Sequence, residues 1–420
     1  MAGRASDLGR QSKIDMFRKI LIAFAILLLF VVTAGAFLYR YVHRGVQEAE
    51  GRVAAKQKML KPHIISGEGN FEKRTFYTGE GLGNISQISV GWPADRERAD
   101  IAVVGSQGAD FIDSLGQMKK QVRFSIAQYS PVVLAQTGPS GEYGYLTRDE
   151  SWAAPATLFD EQGHVSWHSK WSWQGVDDSA SGDVFGNGQL SVVIGFNGAG
   201  GLALYDGQGE KLWSKAEANV WHVEMLDTNG DGRDEILHSD AKGQLIVRNE
   251  KGEVISRYLP GTYVSFFSLT RWAGEPRPSH ILIPVSEGSE GQEKPAYVLL
   301  NAKGDNIMEM DSPLGNLFTR LSATPIRFGK GTPVFAVLEN DSPSDRSMLM
   351  LYAQNGQILY QEILGESCLG VAALPTAKGE RLLVGCDSKI LEYSPMLPSN
   401  TSVTRNSRES INALEATPKS

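Results

Sequence analysis

Cysteine is scarce in this chain, with two residues in 420. A disulfide-dense scaffold is therefore excluded. The 45 glycines fall far short of the one in three that a collagen repeat demands. Hydrophobic residues make up 41% of the chain, too many for a disordered polyampholyte. Positive charge is lacking over most of the length. Residues 61–420 hold 31 Lys/Arg against 44 Asp/Glu, a net of −13, whereas residues 1–60 hold ten against four. An acidic body argues against nucleic acid as partner, because phosphate binding needs concentrated positive charge. P-loop, nucleophile-elbow, zinc and dinucleotide signatures are all missing. His164, His168, His222 and His238 have no metal-ligand spacing and read as ordinary surface or core histidines.

Charge is also missing from every position between Lys19 and Arg40. Residues 20–38 read ILIAFAILLLFVVTAGAFL. Nineteen helical residues at ~1.5 Å each reach ~28 Å, the thickness of a hydrocarbon core. The run reads as a membrane-spanning helix between a tail (1–19) and a stalk (39–63) rich in Ala, Gln, Glu and Lys. The rival reading is a cleaved signal peptide, since Ala34-Gly35-Ala36 has the form of a cleavage site. Tyr39, Arg40, Tyr41 and Arg44 favour the anchor, as interfacial residues. Basic residues flank the run almost equally. Orientation therefore rests on a short tail before one span and a large domain after it. That arrangement places the tail in the cytoplasm and the body on the periplasmic or extracellular side.

Beyond the stalk one pattern recurs: an apolar pair, usually Asp or Asn, two residues, Gly, then a polar residue and an apolar strand. It reads FIDSLGQ at 111–117, LFDEQGH at 158–164, LYDGQGE at 204–210, VRNEKGE at 247–253, LLNAKGD at 299–305 and LYAQNGQ at 351–357. The glycines, Gly116, Gly163, Gly209, Gly252, Gly304 and Gly356, are 47, 46, 43, 52 and 52 residues apart. Each copy has the form of a β-hairpin whose glycine supplies a positive φ. A second strand pair precedes each one. Four strands per ~45–50 residues is the period of a propeller blade. The expected fold is all-β, a β-propeller of about seven four-stranded blades over residues 64–395. A seventh unit at 367–395 lacks one strand, which residues 64–90 can supply and so close the ring without a free edge. Residues 287–295 read as an exposed loop. Residues 396–420, rich in Ser, Thr and Asn, read as a disordered tail.

One motif carries chemistry. Residues 227–235 read DTNGDGRDE. Asp227, Asn229 and Asp231 place oxygen donors at alternate positions, Gly232 permits a sharp turn, the Arg233 carbonyl can face inward and Glu235 can close the cage. Hard oxygens at this spacing suit Ca²⁺. Position 12 is His238 rather than an EF-hand glutamate, and strands flank the loop. The stretch MLDTNGDGRDEILHSD resembles the calcium loop of FG-GAP and VCBS-type propeller repeats, found in integrin α-subunit heads and bacterial surface proteins. The resemblance implies a structural ion in the turn between a blade's first two strands. The corresponding DVFGNGQLS (183–191) and WPADRERAD (92–100) have lost ligands. LYDGQGEKLW also looks like the repeats of quinoprotein and related scaffold propellers.

Cys368 and Cys386 fall on neighbouring antiparallel strands, where either a disulfide or two buried thiols would fit. Trp152, Trp167, Trp171, Trp173, Trp213 and Trp221 either line a stacking face for a sugar or peptide, or plug gaps between blades. No catalytic constellation is recognisable. The sequence is thus read as a membrane-anchored, calcium-stabilised binding, scaffold or adhesion module with a protein or glycan partner on its loop face. The alternative is a propeller enzyme, either a quinoprotein dehydrogenase or a polysaccharide hydrolase or lyase.

Overall fold

The structure, a computed structural model, describes residues 4–91, 101–128, 130–138, 141–148, 154–170, 175–272, 275, 277–285, 295–312, 320–341 and 345–396; in its helix, side chains are described at 18–19, 21–47, 51, 54 and 58. The chain divides into Met1–Leu60 and Lys61–Ser420. The first unit is α1 (Arg4–Met59), 56 residues long. Its segment Leu21–Gln47 is long and apolar enough to cross a membrane. The apolar side chains there, Phe30 and Phe37 among them, are exposed rather than buried in protein. By length and composition the same segment also meets the requirements of a signal sequence.

The second unit is built of strands. β1 (His63–Ser66) and β2 (Phe71–Thr78) come first, and their partners lie at the far end of the sequence. Blade one is β3 (Ile85–Val90), β4 (Ile101–Gly105), β5 (Gly108–Ile112) and β6 (Met118–Arg123). Blade two is β7 (Val132–Gln136), β8 (Tyr143–Thr147), β9 (Thr157–Phe159) and β10 (Val165–His168). Blade three is β11 (Val176–Gly182), β12 (Ser191–Phe196), β13 (Gly201–Asp206) and β14 (Lys211–Lys215). Blade four is β15 (Val223–Leu226), β16 (Glu235–Ser239), β17 (Leu245–Arg248) and β18 (Val254–Tyr258). Blade five is β19 (Ser268–Thr270), β20 (His280–Pro284), β21 (Tyr297–Asn301) and β22 (Asn306–Met310). Blade six is β23 (Arg320–Ile326), β24 (Val334–Asp341), β25 (Arg346–Tyr352) and β26 (Ile358–Leu364), with β1 added outside β26 as a fifth strand. Blade seven is β27 (Cys368–Thr376), β28 (Gly379–Cys386) and β29 (Lys389–Pro395), completed by β2.

The protein is therefore a seven-bladed β-propeller. The first strands form its inner ring: each touches the first strand of the next blade, and β27 touches β3. The segment 64–90 divides its work. β2 lies antiparallel to β29, with Phe71 opposite Pro395 and Thr78 opposite Lys389, and so closes the ring. NISQISV instead opens blade one as β3, while His63–Ser66 extends blade six. Residues 92–100, most of the 287–295 loop and 397–420 lie outside the described residues.

Strand periodicity explains the packing. Successive residues point to opposite faces of a blade, so a middle strand serves two interfaces. On β12, Val192, Ile194 and Phe196 pack toward blade two, and Val193 packs toward blade four. On β24, Ala336 and Leu338 face blade seven, while Phe335 and Val337 face blade five. Seven apolar clusters fill the seven gaps between blades, the last joining Ile85, Ile88 and Val103 to Leu374 and Leu383. The middle strands consequently read as continuous apolar runs rather than as alternations.

The recurring glycine sits in the hairpin between the third and fourth strands. In blade one Gly116 N donates to the Asp113 carbonyl at 2.9 Å, and Asp113 N donates to the Gln117 carbonyl at 2.9 Å. The Asp113 side chain accepts from Leu115 N and Gln117 N, at 3.0 and 2.8 Å. Asp160, Asp206, Asn249 and Asn301 repeat the arrangement. This explains why Asp or Asn stands three residues before the glycine. Ala353 has no such side chain; its turn keeps the backbone bonds, and Asn355 Oδ1 accepts from Gln357 N at 3.1 Å instead.

Each of these glycines has φ between 73 and 89°. Each also presses on the outer strand of the preceding blade: a Cβ on any of the six would stand under 3.0 Å from an atom there. Gly163 faces the Arg123 carbonyl, Gly209 the Trp167 ring and Gly304 the Tyr258 ring. Gly116 faces the Phe76 carbonyl on β2, so the contact crosses the closure as well. An outer-strand aromatic often adds a hydrogen bond into the same turn. Trp167 Nε1 donates to the Gly207 carbonyl at 3.2 Å, Trp213 Nε1 to Glu250 at 2.8 Å and the Tyr258 hydroxyl to Ala302 at 2.6 Å.

At Gly163 alanine would combine a left-handed backbone, worth roughly 1–2 kcal/mol, with a clash against the backbone of blade one. Thermal or urea melts should show Gly163→Ala destabilised by more than about 2 kcal/mol. Gly69→Ala, with φ 80° but open space around it, should lose only about 1 kcal/mol. Trp213→Phe keeps the ring and loses the bond to Glu250, and should cost about 1 kcal/mol.

Candidate functional site

Strand direction alternates along each blade, so the turns between first and second strands share one face with the Asp-x-x-Gly hairpins. The 227–235 loop lies on this face, joining β15 to β16. Gly230 and Gly232, with φ of 81 and 85°, let it fold back on itself. Asp227 accepts from Gly230 N at 2.6 Å and Gly232 N at 2.9 Å. Asn229 accepts from Asp231 N, and Asp231 from Arg233 N, both at 2.8 Å. Glu235, buried at the start of β16, reaches across the loop to Thr228 N, Thr228 Oγ1 and Asn229 Nδ2, at 2.8, 2.6 and 3.1 Å.

The structure holds Asp227, Asn229, Asp231 and Glu235 in one closed loop. Among the described residues, however, it brings no three His, Cys, Asp or Glu side chains together in metal-binding geometry. In donor chemistry the loop fits a hard cation, since Asp227, Asn229 and Asp231 present oxygens and the bonded Asp227 and Asp231 oxygens each keep a second lone pair, whereas Glu235 Oε2 already accepts two bonds from Thr228. The neighbouring DVFGNGQLS turn joins β11 to β12. Its Asp183 is bound to Asn187 N and Gly188 N, and Asp183 N donates to Asp234 at 2.8 Å. The two loops thus brace each other.

Beside them opens a cavity of about 710 Å³. Gln87 and Ser89 of β3, Gln136 of β7, Asp183, Asn187, Gln189, Asp234 and Arg277 supply its polar lining, and Leu134 and Met225 its apolar lining. Gln87 and Gln136 are partly committed to backbone, through Leu134 N at 2.7 Å and the Gly138 carbonyl at 3.0 Å.

Deeper in the ring is a charged cluster assembled from three blades. Arg148, just past β8, reaches Asp178 of β11 through Nε and Nη2 at 3.3 Å and Glu224 of β15 at 3.0 Å. Val223 N donates to Asp178 at 3.0 Å, and His222 Nδ1 stands 2.6 Å from the same carboxylate. The His222 ring packs on Phe266 and Phe267. Asp178 is fully buried. Burial alone would push its carboxyl up, but Arg148, His222 and the Val223 N–H together hold it below the usual carboxylate range. From sequence His222 reads as an ordinary histidine. Glu224, 3.7 Å from its Nε2, is close in sequence, but the short contact is to Asp178, 44 residues away, and the ring packs on Phe266 and Phe267, 44 and 45 residues on, so no local spacing marks it. His238, in contrast, is pushed down to about 4 by burial and accepts from Arg248 Nε at 3.0 Å.

Of the six tryptophans singled out, Trp152, Trp171 and Trp173 lie outside the described residues. Trp167 and Trp213 clamp adjacent blades as described above, and Trp221 is exposed. Cys368 and Cys386 are register partners on β27 and β28, with Cα atoms 3.9 Å apart, and they form a disulfide.

No protein-family model and no curated protein matches the sequence. Similar solved structures include BBS1N in complex with ARL6DN (8% identity, 81% of this chain and 98% of that one, TM-score 0.46). BamB from Moraxella catarrhalis matches at 13% identity over 81% and 92%, with a TM-score of 0.41. The Pan2 WD40 domain of Neurospora crassa matches at 11% over 80% and 98%, with a TM-score of 0.44. The blade count stands on the seven sheets themselves.

The Asp178 cluster makes a pH-dependent contribution to stability. The folded carboxyl titrates below its unfolded value of about 4, so its stabilisation is present above that pH and falls away below it. Asp178→Asn removes the buried carboxylate shared by Arg148 and His222, leaves Arg148 paired with Glu224, and should cost about 3 kcal/mol at pH 7. In melts from pH 7 to pH 3 the gap between variant and wild type should narrow below about pH 4. A constant gap would mean the carboxyl is not paired as described.

Proposed function

We propose that this chain is a membrane-anchored β-propeller that works as a non-enzymatic binding or scaffold module outside the cytoplasm, with FG-GAP/VCBS-type calcium chemistry in blade four. One observation carries the binding reading. Four ionisable groups of the inner ring, Arg148, Asp178, His222 and Glu224, are bonded to one another across blades, while the loop face offers open polar cavities. This cluster therefore serves the ring's own structure, and the rim of turns offers a partner a larger opening, about 710 Å³, than the pocket of about 220 Å³ beside Arg148 and Glu224. A helix apolar enough to span a membrane supports the anchor. The Cys368–Cys386 bond supports an oxidising compartment.

In this reading Ca²⁺ is held by Asp227, Asn229, Asp231 and the Arg233 carbonyl, with Glu235 closing the loop from behind. The ion offsets like-charge repulsion among Asp227, Asp231 and the adjacent Asp183–Asp234 pair, and rigidifies the rim.

Excess EDTA should lower the melting temperature of the wild-type protein by several degrees. Asp231→Ala should melt lower without chelator and show no further response to it. An unchanged wild-type melt would remove calcium from the account. Thiol labelling of the protein in native membranes should modify Cys368 and Cys386 only after reduction; labelling without reductant would place the propeller in a reducing compartment. Site-specific crosslinkers in the 183–190 and 271–279 turns should trap a defined partner on intact membranes. Turnover of a polysaccharide by the purified protein, or a bound-quinone absorbance band, would favour an enzyme instead.

A further inference from the structure

A second cleft, of about 570 Å³, opens on the same face between the first turns of blades five, six and seven. It holds two carboxylates and two guanidiniums, and their situations differ. Glu275 accepts from Trp272 N at 3.0 Å and from Ser279 Oγ. Glu380 accepts from Arg327 N at 2.6 Å, while Glu380 N donates to the Arg327 carbonyl at 2.9 Å. Both acids are thus tied to the walls. Arg271 and Arg327 are exposed, and among the described residues neither guanidinium has a hydrogen bond or an ion pair. Arg74, Arg123, Arg148, Arg248 and Arg381, by contrast, are each paired with a carboxylate.

The two arginines stand on adjoining blades. Arg271 follows β19 and Arg327 follows β23, and Thr270 Oγ1 of the one donates to the Ala323 carbonyl of the other at 3.2 Å. Lys330 and Lys378 lie in the bordering turns, so the cleft rim is cationic in a body whose overall net, these residues included, is −13. The other half of the face, around Asp183, Asp227, Asp231 and Asp234, is acidic. Pro325 and Ile326, both buried, line the cleft from within, and exposed Pro375 gives it an apolar wall. The seam is rigid, because a Cβ on Gly379 would overlap the backbone of Gly329.

We infer that this cleft binds a short extended peptide segment carrying a carboxylate next to an apolar residue. Planar guanidinium forks recognise carboxylates in two-point geometry, and they lose least when no internal partner must be displaced. The Pro375 wall takes the apolar neighbour, and the volume suits a few residues rather than a folded domain. The carboxylate belongs either to Asp or Glu or to the free C-terminus of a peptide. The inference deepens the binding-module reading by naming the chemistry of one partner, and it rests on that reading. It needs neither calcium nor the anchor.

The test uses the full-length protein in detergent micelles and a library of synthetic hexapeptides randomised around a central leucine, half with free and half with amidated C-termini. Peptides with Asp or Glu beside the leucine should be enriched. If the C-terminal carboxylate is the ligand, enrichment should follow the free-ended half instead. In Arg271→Glu/Arg327→Glu the signal should fall roughly tenfold or more, with an unchanged melting temperature because both side chains are exposed. The Lys/Lys double variant should retain part of the signal. Raising salt from about 0.05 to about 0.5 M should weaken capture. No preference for carboxylates, full capture by the Glu/Glu variant, or stronger capture of polygalacturonate than of any peptide would overturn the assignment. If the crosslinkers at 183–190 trap a partner while the library shows no carboxylate preference, the cleft assignment fails and the binding module stands.

Discussion

The ring depends on turns that have no side chain at the point of contact. At Gly116, Gly163, Gly209, Gly304 and Gly356 the backbone lies against the outer strand of the preceding blade too closely for a Cβ, and at Gly252 it lies against the end of the Lys215 side chain. The same positions need a positive φ that glycine alone adopts freely. Two independent requirements therefore converge on one residue type. Trp167, Trp213 and Tyr258 then bond into those turns from behind. The angle between neighbouring blades is set at the rim as well as in the core, and repeating it around the circle brings β2 to β29.

Between the blades, apolar packing is interspersed with buried acids that take donors from next door. Tyr77 donates to Asp110 at 2.8 Å across the closure, and Tyr297 donates to Glu339 at 2.6 Å between blades five and six. Tyr393 and Lys73 hold Glu362 between blades six and seven. Burial, reinforced by the neighbouring carboxylate, raises the Tyr297 and Tyr393 phenols above their ordinary value, so they remain donors. Asp178 uses cations for the same purpose. Such pairs fix which blade meets which, because a buried carboxylate without its donor is strongly destabilising. They also account for part of the protein's acidity without making it a surface property.

A ring held in this way is a stiff platform, and its functional variety is confined to the loop rim. That rim is electrostatically divided. Blades three and four carry the Asp-rich turns, and blades five to seven carry Arg271, Arg327, Lys330 and Lys378. A partner whose charges match this division would be oriented as well as bound.

The repeat is legible in the sequence because its cause is local: an Asx residue that caps the turn and a glycine at positive φ recur at nearly every blade. The DTNGDGRDE loop, the apolar run at 20–38 and the proximity of Cys368 to Cys386 are legible for the same reason, as short-range or periodic patterns. Two things are decided only in three dimensions. The strand FEKRTFYT closes the ring while HIIS joins a different blade, a choice made by the geometry of seven blades rather than by either segment's pattern. Arg148, Asp178, His222 and Glu224, and likewise Arg271 and Arg327, meet because closure lays the first strands and their turns side by side. Residues brought together from different blades leave no spacing to read.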